Sequence, residues 1–228
     1  MITQMCSEEL KSSSEENWKD TLKCVLEYLQ REDTNNFFIT CFTKRGDQLS
    51  QWRGYASDGY GYSIGFDTTK FLNIEPPFVA YNVLYAVELQ QKLCISLLRT
   101  AYNAVSDVIS NHGYEQRPAL VCQFLAFYCY VLTPILKNAS FEEESEIRLC
   151  FNIKFQEASK KNLLFCERKG ILVPHIPIQF AEGKLPIREI IVGPNLNFEQ
   201  AKWSLQQFLE QQGYAGVEIK KSAIPYIS

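Results

Sequence analysis

The chain has 228 residues, of which 46% are hydrophobic and 21% charged, and this balance predicts a globular protein with a sizeable core rather than a disordered chain. Its 23 basic and 26 acidic residues give a formal net charge of −3, which argues against a protein that neutralises nucleic-acid phosphates over its whole surface. None of the eight cysteines forms a C-x-x-C pair. We therefore expect no metal, and we predict free, mostly buried thiols in the reducing cytoplasm.

Apolar periodicity predicts the elements of the first 136 residues in chain order. It predicts an amphipathic helix over 15–31, strands over 37–42, 60–66 and 78–87, turns over 43–59, and helices over 88–111 and 116–133. The last helix lies in the longest apolar run of the chain. Because Gln123 and Pro134 interrupt that run, it is short for a membrane span, and we expect a core helix and no membrane association.

The rest of the chain predicts further strands and one more helix. The clearest strand is 144–153. The stretch over 160–182 is ambiguous, and its prolines favour a loop or an edge strand. After it, the pattern predicts a strand over 187–192, a helix over 198–211 and a short strand over 217–219. The fold class is mixed α+β. We expect one domain over 1–228, with a helical N-terminal segment over 1–35 and a core over 36–228.

Paired carboxylates are the first candidate for chemistry. Glu144 and Glu146 lie two residues apart on the predicted strand, so both side chains are expected on one face, about 7 Å apart, with Arg148 following on that face. Such a row can hold a sugar hydroxyl, stabilise a developing cation or act as a general base. The competing interpretation is a solvated strand face with a surface ion pair.

A glycine- and aromatic-rich stretch, residues 50–67, is the second candidate. Its glycines allow close approach of the backbone to a ligand, and its Tyr and Trp rings offer flat faces for a planar ring. The spacing of Gly59, Gly61 and Gly65 misses the dinucleotide-binding fingerprint, so we predict no Rossmann site. The competing interpretation is a hairpin with packed aromatics.

Other polar residues give weaker signals. His112 and His175 are predicted to be loop residues without a triad or metal partner, and Asp47, Asp58 and Asp67 are scattered oxygen ligands without a recognisable cluster. A metal-dependent nuclease is therefore only a third hypothesis.

Three motifs together resemble a bacterial group, the domain-of-unknown-function family 2971, in its branch with a W-R-G-Y core. The first motif stands here as Cys41-Phe42-Thr43, Asp47 to Tyr55 and Gly61 to Asp67. The second, K-x-x-x-F-x-x-E-x-E-x-R, stands as Lys137, Phe141, Glu144, Glu146 and Arg148. The third stands as Ile187, Ile190, Gly193-Pro194, Ser222 and Ile224-Pro225-Tyr226.

The order of motifs in this group resembles that of ADP-ribosyltransferases. The resemblance implies a split sheet with flanking helices, NAD as substrate and no metal. By the same resemblance Glu146 is the catalytic glutamate and Glu144 assists it or selects the acceptor. Tyr55 and Tyr62 would line the nicotinamide pocket, Trp52 and Arg53 would shape it or touch phosphate, and Arg148 would join the cofactor-binding residues.

Members of this branch usually begin with an H-Y-T-S-like segment and carry an N-D-x-x-E segment, and neither occurs in this sequence. We therefore expect a missing N-terminal half or a protein partner to supply the first NAD-binding element, with the acceptor of ADP-ribose undefined. The resemblance implies a bacterial toxin or anti-phage effector that modifies a macromolecule or hydrolyses NAD. The alternative is a non-catalytic relative that acts as a protein-binding or regulatory module.

Overall fold

A computed structural model describes residues 1–31, 37–112, 118–152 and 163–226. Its six α-helices, counted over these residues, are α1 (Ile2–Ser12), α2 (Glu16–Arg31), α3 (Leu49–Tyr55), α4 (Val87–His112), α5 (Pro118–Leu132) and α6 (Phe198–Gln211). The strands over the same residues are β1 (Phe37–Thr43), β2 (Tyr62–Phe66), β3 (Ile74–Glu75), β4 (Val79–Asn82), β5 (Glu146–Asn152), β6 (Leu164–Arg168), β7 (Ile171–His175), β8 (Gln179–Phe180), β9 (Ile187–Val192) and β10 (Glu218–Lys221). The predicted α+β class is confirmed.

The chain divides into two compact units, each built from several segments. The first comprises Met1–Thr40, Ala80–Glu142 and Arg148–Phe155, and the second comprises Cys41–Val79, Glu143–Ile147 and Gln156–Ser228. The prediction of a single domain stays a prediction, as does the ADP-ribosyltransferase-like sheet.

Four helices, α1, α2, α4 and α5, build the core of the first unit. Trp18 and Leu22 of α2, Leu98 of α4 and Leu125 of α5 are fully buried in one apolar cluster. The indole N–H of Trp18 donates to Glu9, and the Arg99 guanidinium lies 4.8 Å above the Trp18 ring. The interpretation of 116–133 as a core helix is confirmed, because buried side chains recur along α5. Among the described residues, the model contains no helix long and apolar enough to cross a membrane.

A buried glutamine ties α4 to the loop that precedes it. The Nε2 group of Gln90, which is 1% exposed, donates to the carbonyl oxygens of Leu84 and Lys137. Leu84 and Leu136 form an isolated parallel bridge beside it. The amide therefore adds a donor to two backbone acceptors, of which the Leu84 carbonyl oxygen also accepts from the Lys137 N–H. The three-stranded sheet β1-β5-β4 has most of its residues in this unit.

The second unit is organised around the sheet β10-β9-β2. Strand β9 runs parallel to β10 and antiparallel to β2, so it is central, and its residues Ile190, Ile191 and Val192 are buried. Helix α6 contacts β9 and buries Ala201 and Leu209. Asn197 caps this helix by accepting a hydrogen bond from the Gln200 amide.

A glycine follows β9 because two backbone segments meet there. The Gly193 amide donates to the carbonyl oxygen of Gly61. A Cβ atom at residue 193 would meet the carbonyl oxygens of Gly59 and Gly61, the latter at 2.7 Å. Only glycine allows this approach.

An aromatic cluster fills the region beside the short sheet β3-β8. Phe71 contacts the rings of Phe42, Phe66 and Phe180 edge to face, with centroids 5.3 to 6.1 Å apart. These contacts bury ring area in a favourable mutual orientation.

The hairpin β6-β7 is connected by the two-residue turn Lys169-Gly170. Its register pairs Arg168 with Ile171 and Leu164 with His175. Both turn residues have positive φ, +53° and +80°, the signature of a type I′ turn. Pro174 lies in β7, so the expectation of an edge strand in this ambiguous stretch is confirmed.

The sequence predictions differ from the structure in several elements. Within the helical N-terminal segment expected over 1–35, periodicity predicted only the helix over 15–31 and not α1, and α3 forms within the stretch predicted as turns. The strand predicted over 78–87 is shortened to β4, because α4 begins at Val87. The histidines predicted in loops end regular elements, His112 ending α4 and His175 ending β7.

Candidate functional site

Asp47 is the polar centre of the second unit. Its Oδ1 atom accepts hydrogen bonds from the Trp52 indole N–H at 2.7 Å and from the Ser222 hydroxyl at 2.6 Å. Its Oδ2 atom accepts from the backbone amide of Ala223 at 2.7 Å. One carboxylate therefore joins the W-R-G-Y motif to the end of the third motif, 175 residues further along the chain.

Trp52 and Arg53 are consecutive in α3 but have opposite environments. Trp52 is 2% exposed, so of the two roles implied for it, shaping the pocket is the one that its position allows. Arg53 is exposed, and its guanidinium stacks 4.9 Å from the centre of the Tyr226 ring. Because stacking engages the face of the guanidinium, the N–H groups at its edge are not used by the ring.

A second carboxylate orders the loop after α3. Asp58, with φ of +58°, accepts a hydrogen bond from the Tyr226 hydroxyl, and its carbonyl oxygen accepts from the Asn195 side chain at 2.8 Å. The tail after β10 and the loop after β9 therefore both hold the glycine-rich loop that leads into β2.

The expected common face of Glu144 and Glu146 is wrong. Glu144 ends a 3₁₀ helix, Ala139–Glu144, and Ser145 has φ of +46°, so the strand begins only at Glu146. A left-handed residue between the two glutamates breaks the alternation of side chains on which the prediction depended.

Glu146 is buried, with 8% of its surface exposed. It is the first residue of β5. The interpretation of the E-x-E-x-R run as a solvated strand face is wrong for this residue, since a solvated glutamate would expose most of its side chain. Buried carboxylates are uncommon unless they have a structural or chemical role.

Glu144 contacts the aromatic stretch directly. The hydroxyl of Tyr55 donates to the Glu144 Oε1 atom at 3.4 Å, and Tyr55 is 73% exposed. The backbone at Glu144 is also fixed, because its carbonyl oxygen accepts from the Thr43 hydroxyl at 2.8 Å. The first and second motifs therefore meet at Tyr55 and Glu144.

An open groove of about 540 Å³ is lined by residues that are close in sequence to Tyr55 and Glu144. Its lining residues come from α3, the residue before it and the 3₁₀ helix, and they are Gln48, Leu49, Ser50, Arg53, Gly54 and Glu143. The side-chain amide of Gln48 donates to the carbonyl oxygen of Glu143 at 2.8 Å, which links the two walls. The volume is within the range of small-molecule sites.

The two remaining candidate residues have other partners. Tyr62 begins β2, where it pairs with Val192 of β9, and its ring is exposed. Arg148 belongs to the first unit, where its guanidinium donates to the carbonyl oxygen of Pro134 at 2.8 Å. The cofactor-binding roles of all five candidate residues stay predictions.

The scattered aspartates have structural partners. Asp67 caps a 3₁₀ helix by accepting from the amide and hydroxyl of Thr69, and these hydrogen bonds lower the pKa of Asp67 below its ordinary value. Over the described ranges, no group of three or more His, Cys, Asp or Glu side chains could hold a metal ion.

The sequence motifs contain Asp47, Ser222 and Tyr226, but Asp47 was considered only as a scattered oxygen ligand, and Ser222 and Tyr226 were assigned no role. Their hydrogen bonds join residues more than 160 positions apart, so no local pattern points to them. The one available signal was their presence in two motifs of the same family, Asp47 in the first and the other two residues in the third.

The comparisons with known proteins bear on one segment. The family model of a protein of unknown function, DUF2971, matches residues 51–149, less than half of the chain. The resemblance to this family is thereby confirmed, and all seven candidate site residues lie inside the matched segment. No curated protein and no solved structure matches the chain.

Proposed function

We propose that this chain, whose residues 51–149 match DUF2971, is an ADP-ribosyltransferase-like enzyme with Glu146 as its catalytic carboxylate. It would use NAD to modify a macromolecule, or hydrolyse NAD, in the role of a bacterial toxin or anti-phage effector. The observation that carries the proposal is the burial of Glu146 at the start of β5. A carboxylate withheld from water interacts more strongly with a developing positive charge, because the protein screens it less than bulk water does.

The reaction needs such a carboxylate. When the bond between nicotinamide and ribose breaks, nicotinamide leaves as a neutral base with the bonding electrons, and the ribose carbon acquires oxocarbenium character. A nearby carboxylate stabilises this cation, as in glycoside hydrolysis. An acceptor hydroxyl, amine or water then bonds to that carbon and loses a proton.

The other candidate residues suit the parts of NAD. Tyr55 and Tyr62 expose aromatic rings that suit the nicotinamide ring. Arg53 lines the groove, and its guanidinium plane stacks on the Tyr226 ring. The N–H groups at the edge of this plane suit a diphosphate. Glu144, held by Tyr55, supplies a second carboxylate for a ribose or acceptor hydroxyl.

The test is nicotinamide release from NAD by the full chain, measured for the wild type, Glu146→Gln and a matched control, Glu142→Gln. Glu142 is exposed on the 3₁₀ helix Ala139–Glu144, which precedes β5, and it has no role in the proposed site. We expect Glu146→Gln to lower the rate by about a hundredfold or more, with Glu142→Gln unchanged. Circular dichroism and thermal unfolding show whether both variants keep the fold.

Two outcomes would contradict the proposal. One is no release by the wild type, including after addition of an N-terminal segment with the H-Y-T-S motif. The other is equal rates for the wild type and a folded Glu146→Gln variant.

A second candidate function is a non-catalytic binding or regulatory module. It is favoured by the internal partners of Trp52 and Arg53, since Asp47 and Tyr226 account for both residues without a substrate. A complex with a partner protein that survives Glu146→Gln and Tyr62→Ala combined would support this alternative.

A further inference from the structure

The β6-β7 hairpin exposes unusually many apolar side chains. Leu164, Phe165, Ile171 and Leu172 are each more than half exposed, and Leu172 reaches 70%. Among the described residues, β6 pairs with β7 alone. A two-stranded hairpin with this much exposed apolar surface is marginally stable by itself and is typical of an interaction surface.

The turn determines which backbone groups of the hairpin point outward. A two-residue type I′ turn closes on a hydrogen-bonded pair, here Arg168 and Ile171. Hydrogen-bonded and non-hydrogen-bonded pairs alternate along an antiparallel ladder. Phe165 opposite Pro174, and Glu167 opposite Leu172, are therefore the non-hydrogen-bonded pairs, whose N–H and C=O groups face away from the hairpin.

The two edges of the hairpin consequently differ. On the β7 edge Pro174 occupies an outward position and has no N–H group, which blunts that edge against strand addition. On the β6 edge Phe165 and Glu167 offer two outward N–H donors and two C=O acceptors. Only the β6 edge of the hairpin is a complete template for another strand.

We propose that the β6 edge pairs with β6 of a second copy of this chain, antiparallel about a two-fold axis at Cys166. In this register the outward residue Phe165 meets the outward residue Glu167 of the second copy, and the reverse pair forms by symmetry. All four outward groups of each β6 are then satisfied in one isologous interface.

The charges of the strand are compatible with a second copy. The register places Glu167 opposite Phe165 and Arg168 opposite Leu164, so it avoids directly opposed like charges, which would be destabilising. Leu164 and Phe165 are exposed in the single copy and lose water contact in the pair. Five-residue strands bury too little surface for a tight dimer, and we expect a dissociation constant on the order of micromolar.

Sedimentation velocity over a concentration series tests the proposal on the full chain. We expect a reversible monomer–dimer equilibrium that Glu167→Pro weakens by about 25-fold, because two symmetric inter-chain hydrogen bonds are lost at roughly a fivefold cost each. The matched control is Leu172→Pro, which removes an outward N–H from the edge that Pro174 already blunts. A chain that is monomeric at every concentration, or a dimer that Glu167→Pro and Leu172→Pro weaken equally, would overturn the proposal.

Cross-linking tests the register independently of any proline. Residue 166 lies on the two-fold axis in a non-hydrogen-bonded pair, where Cα atoms are about 4.5 Å apart, a spacing that a disulfide spans. In a Cys41→Ser background, which removes the other exposed thiol, diamide takes up the two electrons and two protons released and should link Cys166 to its symmetry mate.

A displaced thiol provides the control. In the variant Leu164→Cys combined with Cys166→Ser, the two introduced thiols would be separated by about 13 Å along the strands, and we expect at least tenfold slower linkage. Equal rates for the two thiol positions would refute the register.

Discussion

Replacing Asp47 removes the group on which three hydrogen bonds of the second unit converge. In Asp47→Ala the indole N–H of Trp52 and the hydroxyl of Ser222 lose their acceptor, and both residues are buried, at 2% and 7% exposure. Each unsatisfied buried donor costs roughly 2 kcal/mol, so we expect a loss of about 4 kcal/mol in the free energy of unfolding. The exposed Ala223 amide can turn to water and adds little.

The conservative variant separates the two oxygens of this carboxylate. In Asp47→Asn the side-chain oxygen still accepts from Trp52 and Ser222, but an amide group replaces the oxygen that faces the Ala223 N–H. One hydrogen bond becomes a contact between two donors, and we expect a smaller loss of about 1.5 kcal/mol.

The assay combines urea unfolding with hydrogen exchange. Because the chain has two compact units, a single unfolding midpoint averages over both, whereas amide exchange in β9 reports the stability of the second unit. The matched control is Asp20→Ala, which removes an exposed pair with Lys23 and should change stability by less than about 0.5 kcal/mol. If Asp47→Ala accelerates exchange in β9 no more than Asp20→Ala does, Asp47 does not hold this unit together.

Three further changes have expected results that unfolding measurements can check. Gly193→Ala should destabilise the chain by about 2 to 3 kcal/mol, because its Cβ atom meets backbone carbonyl oxygens. Gly54→Ala in α3, whose Cβ atom meets nothing within 4 Å, should instead stabilise the chain by up to about 1 kcal/mol. A larger loss of stability in Gly54→Ala than in Gly193→Ala would contradict the close backbone approach at Gly193. Gln90→Met should cost about 1 to 3 kcal/mol, since the Lys137 carbonyl oxygen loses its hydrogen bond from Gln90 while the Leu84 carbonyl oxygen keeps the Lys137 N–H, and a neutral effect would contradict a stabilising role of the Gln90 amide. Burial raises the pKa of the Cys94 thiol from 9.0 to about 11. The stability that this thiol contributes is therefore fully present below pH 9 and is lost as the pH rises through 11. The free energy of unfolding of Cys94→Ala should fall less over this pH range than that of the wild type, and identical pH profiles would show that Cys94 is not the source of the fall.

Local sequence patterns predicted the elements whose boundaries follow from the pattern of their own apolar side chains. Strand β9 and helix α6 have the predicted boundaries, and α2, α4, α5 and β2 fall within a few residues of them. The helices α2, α4 and α5 bury apolar side chains that recur every three or four residues, which is the property that periodicity detects, whereas β9 buries three consecutive residues, as a short apolar run predicts.

The failures arise where tertiary contacts override local preference. Helix α3 forms in a glycine-rich stretch because burial of Trp52 and its hydrogen bond to Asp47 stabilise it. The positive φ of Ser145 interrupts the strand pattern between the two glutamates, and no residue type at that position signals it. The burial of Glu146 was likewise invisible, since a strand pattern indicates two faces but not which face is covered.

The two partners of Asp47 and Asp58 that close the second unit, Ser222 and Tyr226, are made late during synthesis. While the ribosome is still translating β9 or α6, every candidate catalytic residue has already emerged, but β10 and the tail that hold the W-R-G-Y segment have not. At that stage Asp47 lacks its Ser222 and Ala223 partners, and β9 has an open edge. A message cut short before residue 222 would yield a product that carries all the candidate residues without the hydrogen bonds that join the W-R-G-Y segment to the tail.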